Sequence, residues 1–261
     1  MLSRLHASLL FVRVAKDSDW SKVSRLVQAQ ATDGWLLVGP VTDQIVGRFA
    51  QWNCPSVIVG DHQCTQPVHA VKIDHFALGR MGAERLGALG HRRIGYLGGR
   101  FVFPYQQETL AGFRAAVRER GLDEDERLIV RSSLGNWLAD LDPRPTALFV
   151  AEPGPKDPRD LLADLGVAVP GDMNVLASEL TADSGNTAST RLVAPMDDVG
   201  RQGALLLHKV ATESGLSSSQ LKVAPVFLPG SSTCPPRARG AQGPHATERT
   251  SPISPPKENH S

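Results

Sequence analysis

The stretch VKIDHFALGRMGAERLGALGHRRIGYLGG, residues 71–99, carries one complete strand–helix–strand unit. It is entered through Ala70–Ile73, an apolar run too continuous to leave one face in water. Leu78, Met81, Leu86 and Leu89 then recur at helical spacing, which predicts a helix over Leu78–Leu89. Gly90 follows directly; without a Cβ it adopts positive φ freely, so it is the natural residue to close that helix. After His91-Arg92-Arg93, Ile94–Leu97 reads as a second strand and Gly98-Gly99 as a tight turn leaving it. A strand, a helix and a strand in so short a span predict a βαβ crossover and a parallel sheet.

The alternation continues on both sides. Strands are predicted at Leu9–Val14, Trp35–Val38, Ser56–Val59, Ala147–Val150 and Asn174–Leu176, with a last one at Leu221–Leu228. Helical spacing appears in Ser21–Gln30, Gln44–Gln51, Gln106–Arg120, Arg159–Leu165 and Val199–Thr212. Gly121 closes the helix that carries Phe113 and Val117, and Trp137 is expected in the core. Beyond Pro235-Pro236 the chain turns to Pro, Ser, Gly and charge, so residues 237–261 are expected to form a disordered tail.

A length of 261 residues suggests one to two domains, and 41% apolar residues suffice for a core. The net charge of +1 and pI near 7.8 provide no global basic field for nucleic acid. Three cysteines, Cys54, Cys64 and Cys234, match neither a disulfide framework nor a CxxC motif, which fits a reducing cytoplasm. Arg13 interrupts the apolar start and no small-residue cleavage site follows it, so Met1 to Val14 is not read as a signal peptide. No run approaches the ~18 apolar residues of a membrane span, so no membrane partner is expected.

Motifs that commit a chain to catalysis are missing: there is no GxxxxGK[ST], GxGxxG after a strand, GxSxG or HExxH. His62, Cys64, His69, His75 and Cys54 share one stretch, but their spacings match no zinc template, so neither metal nor cofactor is expected. The acidic run Asp123–Glu126 reads as a solvated loop. Glu152 and Glu179 lie just past strand ends, where open α/β sheets place their ligands. With no nucleophile nearby, they point to binding and not to an enzyme.

Residues 71–99 also resemble the sensor core of the lac-repressor (LacI/GalR) family of bacterial transcription regulators: a strand ending in Asp, a Gly-bearing helix, LGHRRI, and a strand ending in Gly-Gly. ETLAGFRAAVRERG, RPTALFVA, LGVAVPGDMNVLA, APMDDVGRQGALLL and FLPGSSTCPP agree in order, so the resemblance runs from about Asp33 to Pro236. It implies two Rossmann-like parallel-sheet lobes of the type I periplasmic-binding-protein kind, joined by three crossovers near Ile73-Asp74, Leu192–Ala194 and Leu221. The N-terminal lobe would hold residues 1–73 and 192–220, and the C-terminal lobe residues 74–191 and 221–236. A sugar-like effector would bind between them and control operator binding allosterically in a cytoplasmic homodimer. The family's helix-turn-helix headpiece is not visible, and Leu9–Val14 falls where its second strand would be, so this chain is expected to reach operator DNA only through a headpiece it lacks. A transporter's solute-binding protein, or a degenerate regulator fragment, are the alternatives.

Three positions depart from the family pattern. Its usual effector-gripping Arg is Thr109, its Asn-Asp becomes Glu152-Pro153, and its Asp pair becomes Glu179-Leu180. Phe101, Phe103 and Tyr105 lie in the loop after Gly98-Gly99 and either stack on a sugar ring or cover the core or a dimer interface. The expected effector-binding residues are therefore Asp61, Asp74, Phe103, Tyr105, Thr109, Glu152 and Glu179, with no catalytic residue among them.

Overall fold

Among the described residues, nine strands divide between two sheets. The computed structural model describes residues 8–130, 133–152, 154, 156–179, 189–213 and 215–236. The first sheet has the order β1-β2-β3-β8, from Trp35–Val38, Ser56–Val59, Ala70–Ile73 and Gln220–Val223, all parallel. The second runs β4-β5-β6-β7-β9, from Ile94–Leu97, Ala147–Val150, Asn174–Glu179, Thr190–Val193 and Val226–Leu228. Its first four strands are parallel, and β9 closes the edge antiparallel to β7. The α/β class and two-sheet architecture match the expectation.

Seven α-helices, α1 Trp20–Gln28, α2 Asp43–Gln51, α3 His75–Ala88, α4 Pro104–Glu119, α5 Leu134–Ala139, α6 Pro158–Asp164 and α7 Met196–Thr212, and two short 3-10 turns, Asp17–Asp19 and Glu126–Leu128, complete the described chain. Helix α3 starts three residues ahead of its apolar periodicity because the Asp74 carboxylate caps it, accepting from the Ala77 N–H. Gly90 has φ of +101° beyond its C-terminus, the conformation its missing Cβ permits. His91, buried in the turn that follows, is held by Thr146 Oγ1 at 2.8 Å and by the Cys234 carbonyl at 3.0 Å. Residues in the FLPGSSTCPP segment thus tie the LGHRR turn to the second sheet.

The chain passes between the sheets three times: β3 to α3, β7 to α7, and β8 to β9. Leu192 and Val193, expected in the first lobe, pair with Ser178 and Glu179 in the second sheet. The crossing follows them at Ala194-Pro195, after which α7 packs on β1, β2 and β3. The segment Leu221–Leu228, expected as one strand, splits at Ala224-Pro225: Leu221–Val223 pairs in the first sheet and Val226–Leu228 in the second. Pro225 lacks an N–H for the ladder, which favours a break there.

Leu9–Val14 is not a strand; Leu9 and Phe11 are exposed, and only Val12 packs against the core. An apolar run becomes a strand only when a neighbour takes its backbone hydrogen bonds, and among the described residues none does so here. Strand β7 and helix α5 were not anticipated. Trp137, on α5, is buried as expected, with its indole N–H donating to the Arg127 carbonyl at 2.8 Å. The tail 237–261 lies outside the described residues.

Candidate functional site

The carboxyl ends of both sheets converge on one cavity of about 590 Å³, within the ~300–1,000 Å³ range of small-molecule sites. Its walls come from the residues that end or follow β1 to β7, together with Pro225 after β8 and the starts of α3 and α4. A parallel sheet places such loops together because every strand ends on the same side. Six of the seven expected residues line it: Asp61, Phe103, Tyr105, Thr109, Glu152 and Glu179. Asp74 does not, since its carboxylate is used in capping α3.

The most organised wall is built on the start of α4. Pro104 opens the helix with its fixed φ, which sets Phe103, Tyr105 and Gln106 around the first turn. The Phe103 and Tyr105 rings stack in parallel, with centroids 5.7 Å apart and planes inclined by 8°. Tyr105 Oη donates to Glu152 Oε1 at 2.9 Å. Gln106 accepts the Phe103 N–H at Oε1, which leaves its Nε2 to donate to Glu152 Oε2. Two α4 side chains thus orient one carboxylate. Burial, then the bond to Glu152, push the Tyr105 hydroxyl up to about 12, so it stays a donor at neutral pH.

The facing wall belongs to the first sheet. Asp61 accepts from His75 Nε2 with both oxygens, at 2.9 and 3.0 Å, and the His75 ring lies 5.2 Å from that of Tyr105. His62 accepts the Cys64 N–H at Nδ1, so its neutral ring carries the proton on Nε2; burial keeps its pKa below the usual value. His62 Nε2, His75 Nδ1 and the Tyr96 hydroxyl have no hydrogen-bond partner among the described residues; their residues belong to the cavity wall, while these three atoms lie buried beneath its surface.

The remaining expected residues hold the frame. Thr109 gives its hydroxyl to the Tyr105 carbonyl at 2.8 Å and is almost wholly buried. Glu179 pairs with Arg191 at 2.8 Å. Leu180 and Pro153, noted as departures from the family pattern, lie outside the described residues. Of the three loop aromatics, Phe101 packs against the core and stacks on Tyr96, while Phe103 and Tyr105 face the cavity. His75, Gln106, Lys72, Ser178 and Tyr96 also line it and were not anticipated. His75 sat next to the conspicuous Asp74, but nothing in the periodicity shows that α3 begins at His75. Among the described residues no three His, Cys, Asp or Glu side chains are grouped to hold a metal ion. No helix among them is long and apolar enough to cross a membrane.

Residues 83–233 match the family model of the periplasmic binding protein-like domain. No curated protein matches the sequence. Among solved structures, the transcriptional regulator CelR in complex with cellobiose is 24% identical with a TM-score of 0.69, covering 89% of this chain and 75% of its own. A regulatory protein of the LacI family from Chloroflexus aggregans is 18% identical with a TM-score of 0.71, covering 88% and 87%. The dimeric Lac repressor with an 11-residue C-terminal deletion is 19% identical with a TM-score of 0.68, covering 90% and 91%.

Proposed function

The chain belongs to the periplasmic binding protein-like domain family, and from that premise we propose that it is the effector-binding core of a LacI-type transcription regulator. The observation that carries this reading is the cavity between the two sheets, walled by both and carrying the stacked Phe103 and Tyr105 rings beside the oriented Glu152 carboxylate. Its ligand is a sugar-like molecule: the Phe103 and Tyr105 rings supply flat apolar surface, and Glu152 and Asp61 supply acceptors at the edges. The fold shared with the cellobiose-bound CelR supports it. The protein binds and does not turn over its ligand. Control is allosteric, since a ligand touching both lobes favours one lobe arrangement over another. The core works as a cytoplasmic homodimer, and operator DNA is contacted by a separate headpiece.

Titration with neutral mono- and disaccharides, cellobiose included, tests the reading. At least one should raise the melting temperature saturably, a ligand at 100 times its Kd adding ~2.7 kcal/mol of stability. Tyr105→Ala, which removes both a stacking face and the donor to Glu152, should weaken that ligand by roughly tenfold or more. No response to any sugar from a folded protein would refute the reading.

A further inference from the structure

We infer that the cleft discriminates its ligands by charge, accepting neutral or amine-bearing molecules and rejecting carboxylates and phosphates, and that Glu152 is the residue that sets this preference. The inference rests on the cleft being the effector site and goes on to name the class of effector.

The argument is one of pairing. Lys72, the one lysine or arginine among the described lining residues, is held by Glu108 at 3.0 Å. Glu179 is paired with Arg191, and Asp61 is bound by His75. Glu152 differs: among the described residues no Lys, Arg or His forms an ion pair with it, and its partners are the neutral Tyr105 hydroxyl and Gln106 amide. A carboxylate offers about four lone-pair sites, and these two bonds occupy one on each oxygen. The remaining sites are left for a ligand. Gln106 and Tyr105 fix the carboxylate in place, so it cannot swing away from an approaching anion.

Nearby surfaces reinforce the preference. The parallel Phe103 and Tyr105 rings stand beside this carboxylate, and aromatic faces attract an ammonium group while offering nothing to an anion. Thr109, buried on the same helix, has its hydroxyl committed to the Tyr105 carbonyl and contributes no positive charge. Like charges within a few ångströms in a partly enclosed site repel far more than in water, so an anion at Glu152 should bind roughly tenfold or more worse than its neutral analogue.

The test uses the full chain and two matched pyranose sets, glucose, glucosamine, glucuronate and glucose 6-phosphate and the corresponding galactose set, with cellobiose as a neutral disaccharide. Melting-temperature screening is followed by calorimetric Kd values for wild type, Glu152→Gln and Glu152→Asp. The expected result is binding confined to neutral and amine members of a skeleton, with its acid or phosphate at least about tenfold weaker. Glu152→Gln should narrow that gap; Glu152→Asp, which keeps the charge, should preserve it and so separates charge from packing. An acid or phosphate that binds as tightly as its neutral analogue, or a gap unchanged in Glu152→Gln, overturns the inference while leaving the sensor reading intact. No binding by any member overturns the sensor reading and this inference with it.

Discussion

Replacing Gly79 with Ala should damage the joint between α3 and α4, the two helices whose first turns reach the cleft. A Cβ at Gly79 would sit 1.8 Å from the Thr109 carbonyl oxygen and 2.8 Å from the Phe113 nitrogen. Ordinary contact begins at 3.4 Å, so the backbones must separate by about 1.6 Å. Both are backbone atoms within α4, and no side chain can turn aside to relieve the clash. Moving α4 outward also loosens Leu110 and Phe113 against Leu78 and Phe149 in the second-lobe core. Overpacking of this kind costs ~1–3 kcal/mol, and this case belongs at the upper end because backbone must move. Subtracting ~0.8–1 kcal/mol for the better helix propensity of Ala leaves about 2 kcal/mol. At ~2–4 °C per kcal/mol for a chain of this size, the melting temperature should fall by about 4–8 °C. Gly200→Ala is the control: Gly200 lies on the exposed face of α7 with nothing within 4 Å of its would-be Cβ, so propensity alone should raise the melting temperature by about 2–3 °C. Circular-dichroism melts of the two variants should move in opposite directions. If Gly79→Ala melts within about a degree of wild type, the close helix approach is not a constraint and the reasoning fails.

Acid should destabilise the fold through His91. Burial holds this imidazole below its ordinary pKa, and its bonds to Thr146 and the Cys234 carbonyl suit the neutral ring. The unfolded state therefore binds more protons, so the stability is complete above about pH 6.5 and is lost as pH falls from there toward the depressed folded value. Melting temperature should drop between pH 7.5 and 5.5. His91→Gln should melt lower at pH 7.5 but with a shallower slope, His62 and His69, also depressed by burial, supplying the remainder; an unchanged slope would exclude His91. A second expectation concerns the lobes. Glu108 on α4 reaches across to Lys72 on β3 at 3.0 Å and Lys222 on β8 at 3.7 Å. Glu108→Gln should cost about 1 kcal/mol of inter-lobe interaction, appearing as roughly fivefold faster hydrogen exchange in the crossover peptides around Asp74 and Ala224-Pro225. Exchange there no faster than wild type would mean the pair does not restrain the lobes.

Much of the fold was legible because parallel strands covered on both faces must be apolar throughout. Trp35–Val38, Ser56–Val59, Ala70–Ile73, Ile94–Leu97 and Ala147–Val150 were each read with the bounds they have in the structure. Thr190–Val193 escaped because Thr190 and Arg191 look polar, although both are buried through Ser232 and Glu179 respectively. Leu9–Val14 failed in the opposite sense: its composition suits a strand, but no partner takes its hydrogen bonds. The break at Pro225 could have been suspected from the proline alone. Which sheet each half joins could not, since that depends on edges formed by residues about 150 and about 35 positions earlier, respectively.

The sequence by itself determined the α/β class, most strand positions and the end of the molecule where a ligand must lie, because these follow from local periodicity and from the rule that parallel strands end on one side. Tertiary structure alone decided what each polar residue does there. Asp74 and Asp61 both follow apolar strands, yet one caps a helix while the other faces the cavity and binds His75. Glu152 lies just past β5 and Glu179 ends β6 in the same sheet, yet among the described residues only Glu179 meets an arginine. The difference lies in partners brought from distant parts of the chain, and a carboxylate's role is set by the charge that packing places beside it.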